Sequence, residues 1–136
     1  MTREEMDRLV NEHFVYEATD DVDGIVNSLS DDAHHHVVGS PWGELSDGAR
    51  IRQFYEQLFA DLKGTGVEPV KRWYGEDFVV DETLWSGHVS DGRFFGLEGR
   101  SGDVTFRLLH LFEFRDGTIT RENVWSDIAA ISQQTS

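Results

Sequence analysis

The strongest constraint in this sequence is a hairpin near its end. Asp116-Gly117 is a two-residue turn signal between two segments of strand character. Before it, Phe106, Leu108, His110, Phe112 and Phe114 alternate with Thr105, Arg107, Leu109, Leu111 and Glu113. Side chains alternate faces along a strand, so one face of this segment is apolar except for His110. A regular hairpin sets residue 114 opposite 119, 112 opposite 121, 110 opposite 123, 108 opposite 125 and 106 opposite 127. Ile119, Arg121, Asn123, Trp125 and Asp127 then share the inner face with His110. A histidine, an asparagine and an aspartate on the inner side of a sheet need partners, because buried polar groups cost free energy unless satisfied.

The rest of the chain supplies what that sheet packs against. Thr2 caps a first helix, with Glu5 completing a capping box, and Met6, Leu9, Val10, His13 and Phe14 recur at helical spacing. Asp20 or Asp21 caps a short second helix carrying Val22, Ile25, Val26 and Leu29. A brief strand is expected around 33–39. A third helix runs from about Asp47 to Leu62, with Ile51, Phe54, Tyr55, Leu58 and Phe59 in one stripe. Segments near 67–74, 77–89, 93–97, 103–115 and 118–128 read as strands separated by Gly, Asp and Ser. Helices first and strands after predict one α+β domain over 1–136: a curved, mostly antiparallel sheet with helices on one face.

Composition narrows the partners. With 26 Asp plus Glu against 12 Lys plus Arg, the net charge of −14 disfavours nucleic-acid backbones and anionic membrane surfaces. No apolar run approaches the roughly 18 residues of a membrane span. The polar N-terminus reads as a helix start rather than a signal peptide, so a cytoplasmic setting is expected. The absence of cysteine removes disulfides and thiolate chemistry.

Several motifs stand in a telling order: Asp21-Val22-Asp23-Gly24-Ile25-Val26, Asp31-Asp32-Ala33, Ile51-Arg52-Gln53-Phe54-Tyr55, Trp85-Ser86-Gly87-His88 and Phe95-Gly96-Leu97. The run Phe106–Phe114, the Arg115-Asp116-Gly117 turn and the ending Arg121-Glu122-Asn123-Val124-Trp125-Ser126-Asp127 follow them. Together they resemble nuclear transport factor 2-like domains, and within them the SnoaL-like polyketide cyclase branch, over nearly the whole chain. The resemblance implies a cone: a strongly curved sheet wrapped around N-terminal helices, with a deep pocket inside. It implies a small apolar substrate, no cofactor and a homodimer.

Within that resemblance, His110 is the first candidate for catalysis, matching a pocket-lining position. Asp127 matches the carboxylate that ends the last strand and is the candidate base, although it lies roughly 13 Å of strand from the partner of His110. Asn123, facing His110, is a candidate for holding the imidazole or a substrate oxygen. His36 (or His35), Tyr55, Trp85, His88, Trp125 and Trp42 are candidate pocket walls, each with plain packing as the alternative. In His34-His35-His36, the first and third share a face, but no completing ligand stands at a diagnostic spacing, so no metal is expected. The isomerase-type base is absent at His36-Val37-Val38, and its first-helix tyrosine falls near His13. The epoxide-hydrolase pair is broken, because Leu109 stands two residues after Arg107. Two readings follow. One is an acid/base enzyme acting on an apolar carbonyl compound by aldol-type cyclisation, dehydration or isomerisation. The other is a non-catalytic binding or dimerisation module.

Overall fold

The computed structural model describes residues 1–136. Helix α1 (Arg3–Ala18) starts at the expected box: the Glu5 N–H donates to Thr2 Oγ1 at 3.1 Å, and the Thr2 N–H to Glu5 Oε2 at 3.3 Å. Helix α2 (Val22–Ser28) is capped by Asp21 and α3 (Gly48–Asp61) by Asp47, each side chain accepting a backbone N–H of the first turn. The strands are β1 (Leu29–Val37), β2 (Glu44–Leu45), β3 (Leu62–Tyr74), β4 (Phe78–Val89), β5 (Gly102–Arg115) and β6 (Thr118–Ser126). They form one curved, open sheet in the order β2-β1-β6-β5-β4-β3, antiparallel throughout except for β1 beside β6. A closing helix, α4 (Ile128–Gln134), packs on β5.

Three details differ from the sequence expectation. The 93–97 segment is a single 3-10 turn, Arg93–Phe95, closed by a bridge between Gly92 and Leu97. The chain after Ser126 turns into a helix where a strand end was expected. The third difference matters most. Asp116 and Gly117 adopt positive φ (52° and 77°), as a tight hairpin turn requires. Phe114 then pairs with Ile119, but Glu113 pairs with Arg121. Thr120 is thus an extra residue, a β-bulge, and every later residue of β6 changes face.

The helices fill the concave side. Met6, Leu9 and Val10 of α1, Ile25 of α2 and Ile51, Phe54 and Tyr55 of α3 pack on Val79, Phe106, Phe112, Phe114 and Ile119 of the sheet. Arg72 fastens α1 to the sheet. It donates from Nε to the buried Asp81 (2.8 Å), from Nη1 to Asp7 (2.7 Å) and from Nη2 to Asn11 (3.1 Å), while the Tyr74 hydroxyl donates to Asp7 (2.6 Å). This clamp sets the rotation of α1 and so aims His13, on its other side, at the interior. No helix is long and apolar enough to cross a membrane.

Gly87 on β4 shows how tightly the sheet is built. A Cβ there would overlap the Lys63 carbonyl oxygen and meet the Trp85 ring at 2.5 Å. Backbone cannot yield as a side-chain tip can. Gly87→Ala is therefore expected to cost about 1–3 kcal/mol, read as a lower urea midpoint with an unchanged slope.

Candidate active site: a buried carboxylate ringed by histidines

Glu122 is the centre of the interior. The bulge at Thr120 turns it inward, between Phe112 of β5 and its parallel partner His35 of β1. Its side chain is fully buried, an expensive place for a carboxylate. Groups from four other elements surround it. His13 Nε2 of α1 lies 3.0 Å from Oε1, His35 Nε2 of β1 lies 3.4 Å from Oε1, and His110 Nε2 of β5 lies 3.7 Å from Oε2. The Tyr55 hydroxyl of α3 donates to Oε1 at 2.7 Å. Glu17, one turn after His13 on α1, brings Oε1 to 3.1 Å from the same His13 Nε2.

The protons follow from these contacts. Tyr55 has one, and it goes to Glu122. The 2.9 Å contact between His35 Nε2 and the Tyr55 oxygen then requires His35 to be the donor, which leaves His35 Nδ1 bare and without a partner. The Ser28 hydroxyl donates to the Ile25 carbonyl at 2.7 Å, so it accepts from His13 Nδ1 at 3.4 Å. His13 Nε2 therefore faces the two carboxylates. Its approaches to them are charge contacts at ion-pair distance rather than aligned hydrogen bonds.

Burial alone would lower the basicity of His13, but Glu122 and Glu17 outweigh it and raise its pKa to about 10. Burial likewise opposes ionisation of Glu122, yet the His13 cation beside it, above all, holds it well below the usual carboxylate range. Burial keeps His35 below the ordinary histidine value, against the pull of Glu122. Burial and the neighbouring Glu122 push the Tyr55 phenol up, so it remains a donor. At neutral pH the site is an ionised Glu122 against a His13 imidazolium, with neutral His35 and Tyr55 alongside.

The cluster is walled by aromatic rings. His110 stacks on Phe112 (centroids 5.5 Å apart, planes 2° apart) and meets the edge of Phe14 at 5.1 Å. His35 packs on Phe54 at 4.7 Å, and Phe54 in turn on Trp42 and Phe94. A cavity of about 110 Å³ opens between α2, β1 and α3 beside Ala33, the inward residue two before His35.

The SnoaL-like domain profile matches residues 5–122. The chain belongs to the SnoaL-like domain family. Solved structures agree on the fold. A Shewanella denitrificans protein named for SnoaL-like polyketide cyclases superposes with a TM-score of 0.79 at 13% identity, covering 98% of this chain and 97% of the other. A Catenulispora acidiphila protein with a ketosteroid isomerase-like fold, in complex with trimethylamine, gives 0.75 at 14% identity, covering 93% and 90%. An epoxide hydrolase of the LEH-like type from M. tuberculosis gives 0.72 at 19% identity, covering 95% and 87%. No protein of curated function matches the sequence.

Within this SnoaL-like domain, His110 and Tyr55 reach the cluster, as does His35, the alternative to His36. The bulge removes three others. Asp127 lies beyond β6, is exposed, and caps α4 by accepting the Ala130 N–H at 3.2 Å. Asn123 faces Leu111, not His110, and accepts from Arg121 on the outer surface at 3.3 Å. Trp125 turns outward and is 39% exposed. His36 points away from the interior, because alternation along β1 turns His35 inward. His88 is exposed and pairs with Asp103 at 2.8 Å. Trp85 packs on Phe106 at 5.4 Å, four residues along β4 from Asp81, the partner of His110. Trp42 belongs to the aromatic wall, its outer face covered by the Arg50 guanidinium at 4.6 Å.

Sequence reasoning missed Glu122, Glu17 and the polar role of His13. One signal was present. An unbulged hairpin buries Arg121 among inward histidines, whereas a one-residue slip buries Glu122 and so supplies the opposite charge.

The two carboxylates should separate cleanly by mutation. Glu122→Gln leaves a buried His13 cation facing only Glu17 and is expected to cost about 3–5 kcal/mol in chemical denaturation. Asp127→Ala removes only a helix cap and should cost about 0.5–2 kcal/mol. Equal losses would contradict the placement of the two residues.

Proposed function

We propose that this protein is a small-molecule enzyme using acid/base catalysis on an apolar carbonyl compound, in an aldol-type cyclisation, dehydration or isomerisation. The observation that carries the proposal is the convergence of three histidines and a tyrosine on the buried, ionised Glu122. His110 is the proton carrier. Its Nε2 faces Glu122 Oε2, and its Nδ1 is buried without a partner, available to a substrate. A carboxylate behind an imidazole stabilises the imidazolium formed when the ring takes a proton, and such contacts tighten when substrate is bound. Glu122 is thus the positioning residue, itself held by Tyr55 and His35. Phe14, half-buried over His110, is the side chain a substrate would displace. The acid/base pair is therefore His110 and Glu122 rather than His110 and Asp127.

The test is solvent exchange at carbon. A panel of apolar ketones and 1,3-dicarbonyl compounds is incubated with the protein in D2O and followed by proton NMR. Catalysed loss of α-protons is expected, reduced about 10²-fold or more in His110→Ala with the fold retained. Equal rates in wild type and variant would refute the assignment.

A second reading is favoured by one observation: His13, His35, Tyr55 and Glu122 are all at most 1% exposed. A core so closed suits a binding or dimerisation module, which would give no exchange on any compound. Both readings place the protein in the cytoplasm as a homodimer. Leu109 and Leu111 lie half-buried on the outer face of β5, and the bulge sets the exposed Trp125 beside Leu109. Exposed apolar side chains clustered on a sheet favour a second copy of the same face. Light scattering at micromolar concentration should give about twice 15.5 kDa, and a monomer would rule the dimer out.

A further inference from the structure

We infer that His13, Glu17 and Glu122 form a binding site for one divalent transition-metal ion, of the zinc or manganese class. The three donor atoms lie within 4.8 Å of one another, with His13 Nε2 at 3.0 Å from Glu122 Oε1 and 3.1 Å from Glu17 Oε1. Ligands bonded at about 2.0–2.2 Å to a common ion stand about 3.0–3.5 Å apart, so little movement is needed to admit one.

Three features mark this as more than a buried ion pair. The first is charge. A His13 imidazolium between two carboxylates leaves one net negative charge in the interior, whereas a neutral imidazole, two carboxylates and a divalent ion sum to zero. The second is unused bonding capacity. Two of the three ligand atoms, His13 Nε2 and Glu17 Oε1, are buried with no hydrogen-bond partner. For fully buried His13 that is a cost the fold otherwise avoids. The third is outer support of the kind metal ligands carry. Ser28 accepts from His13 Nδ1 and so presents Nε2 to the site, while Tyr55 donates to Glu122 Oε1 and fixes its carboxylate. His13 and Glu17 are four apart on α1 and share a face. Glu17 is only partly buried, at 23% side-chain exposure, and gives the ion its access route. One imidazole with two carboxylates selects zinc, manganese or iron(II) over magnesium and calcium, which prefer all-oxygen shells.

This inference goes beyond the acid/base proposal and does not need turnover. The ion would take Glu122 Oε1 and leave Oε2 facing His110. It reverses the sequence expectation of no metal, which rested on the His34–His36 run; there His34 and Glu44 form only a surface pair at 3.3 Å.

The test uses the full-length protein stripped with EDTA and titrated calorimetrically with Zn²⁺ and, separately, Mn²⁺. One ion per chain is expected for at least one of them. Glu17→Gln, checked to melt as wild type does, should weaken binding by about tenfold or more. His34→Ala should leave it unchanged. No uptake of either ion, equal affinity in Glu17→Gln, or loss in His34→Ala would each overturn the site. A proton alone would then occupy it, or the surface pair would bind the ion. Ion uptake without isotope exchange would leave this inference standing and remove the acid/base reading. Exchange by stripped protein that takes up no ion would do the reverse.

Discussion

A fully buried carboxylate organises this molecule. Glu122 stays charged where burial opposes charge, because the His13 cation and the Tyr55 hydroxyl reach it from different elements, and His35 in turn donates to Tyr55. Removing any one of these groups leaves another unpaired in a low-dielectric interior, which ties α1, α3, β1, β5 and β6 to one arrangement. The Arg72 clamp serves the same end from outside. By fixing α1 through Asp7 and Asn11, it holds His13 and Glu17 towards the centre.

The bulge at Thr120 is the backbone device that makes this possible. A sheet has a two-residue period, so a single inserted residue exchanges the faces of everything beyond it. Here the exchange turns Glu122 and Val124 inward and moves Arg121, Asn123 and Trp125 outward. Arg121 then joins Glu44 and Glu113 in a surface network, at 2.9 and 3.5 Å. The same slip that creates the candidate site also places an exposed tryptophan on the outer sheet face.

The sequence-based reading was strongest where signals are local. Thr2 and Glu5, Asp21, Asp47 and the Asp116-Gly117 turn all act as expected, and the α+β class with a curved sheet over N-terminal helices holds. His110 and Tyr55 were legible because each is a polar group on an otherwise apolar face. Asp127 looked like a catalytic carboxylate from the resemblance and from a hairpin register that turned it inward, and the bulge breaks that register. His36 was preferred although its strand neighbour His35 is the inward residue, because three consecutive histidines do not reveal the phase of their strand.

The sequence by itself determined the helices, the hairpin and the presence of polar groups that an interior would have to satisfy. Capping, turn chemistry and alternation act over a few residues and can be read from them. Only the tertiary structure decided which carboxylate meets those histidines. His13, Glu17, His35, Tyr55, His110 and Glu122 are spread over most of the chain, and their convergence depends on strand register and helix rotation. Those are set by packing between distant segments, and no short stretch of sequence contains them.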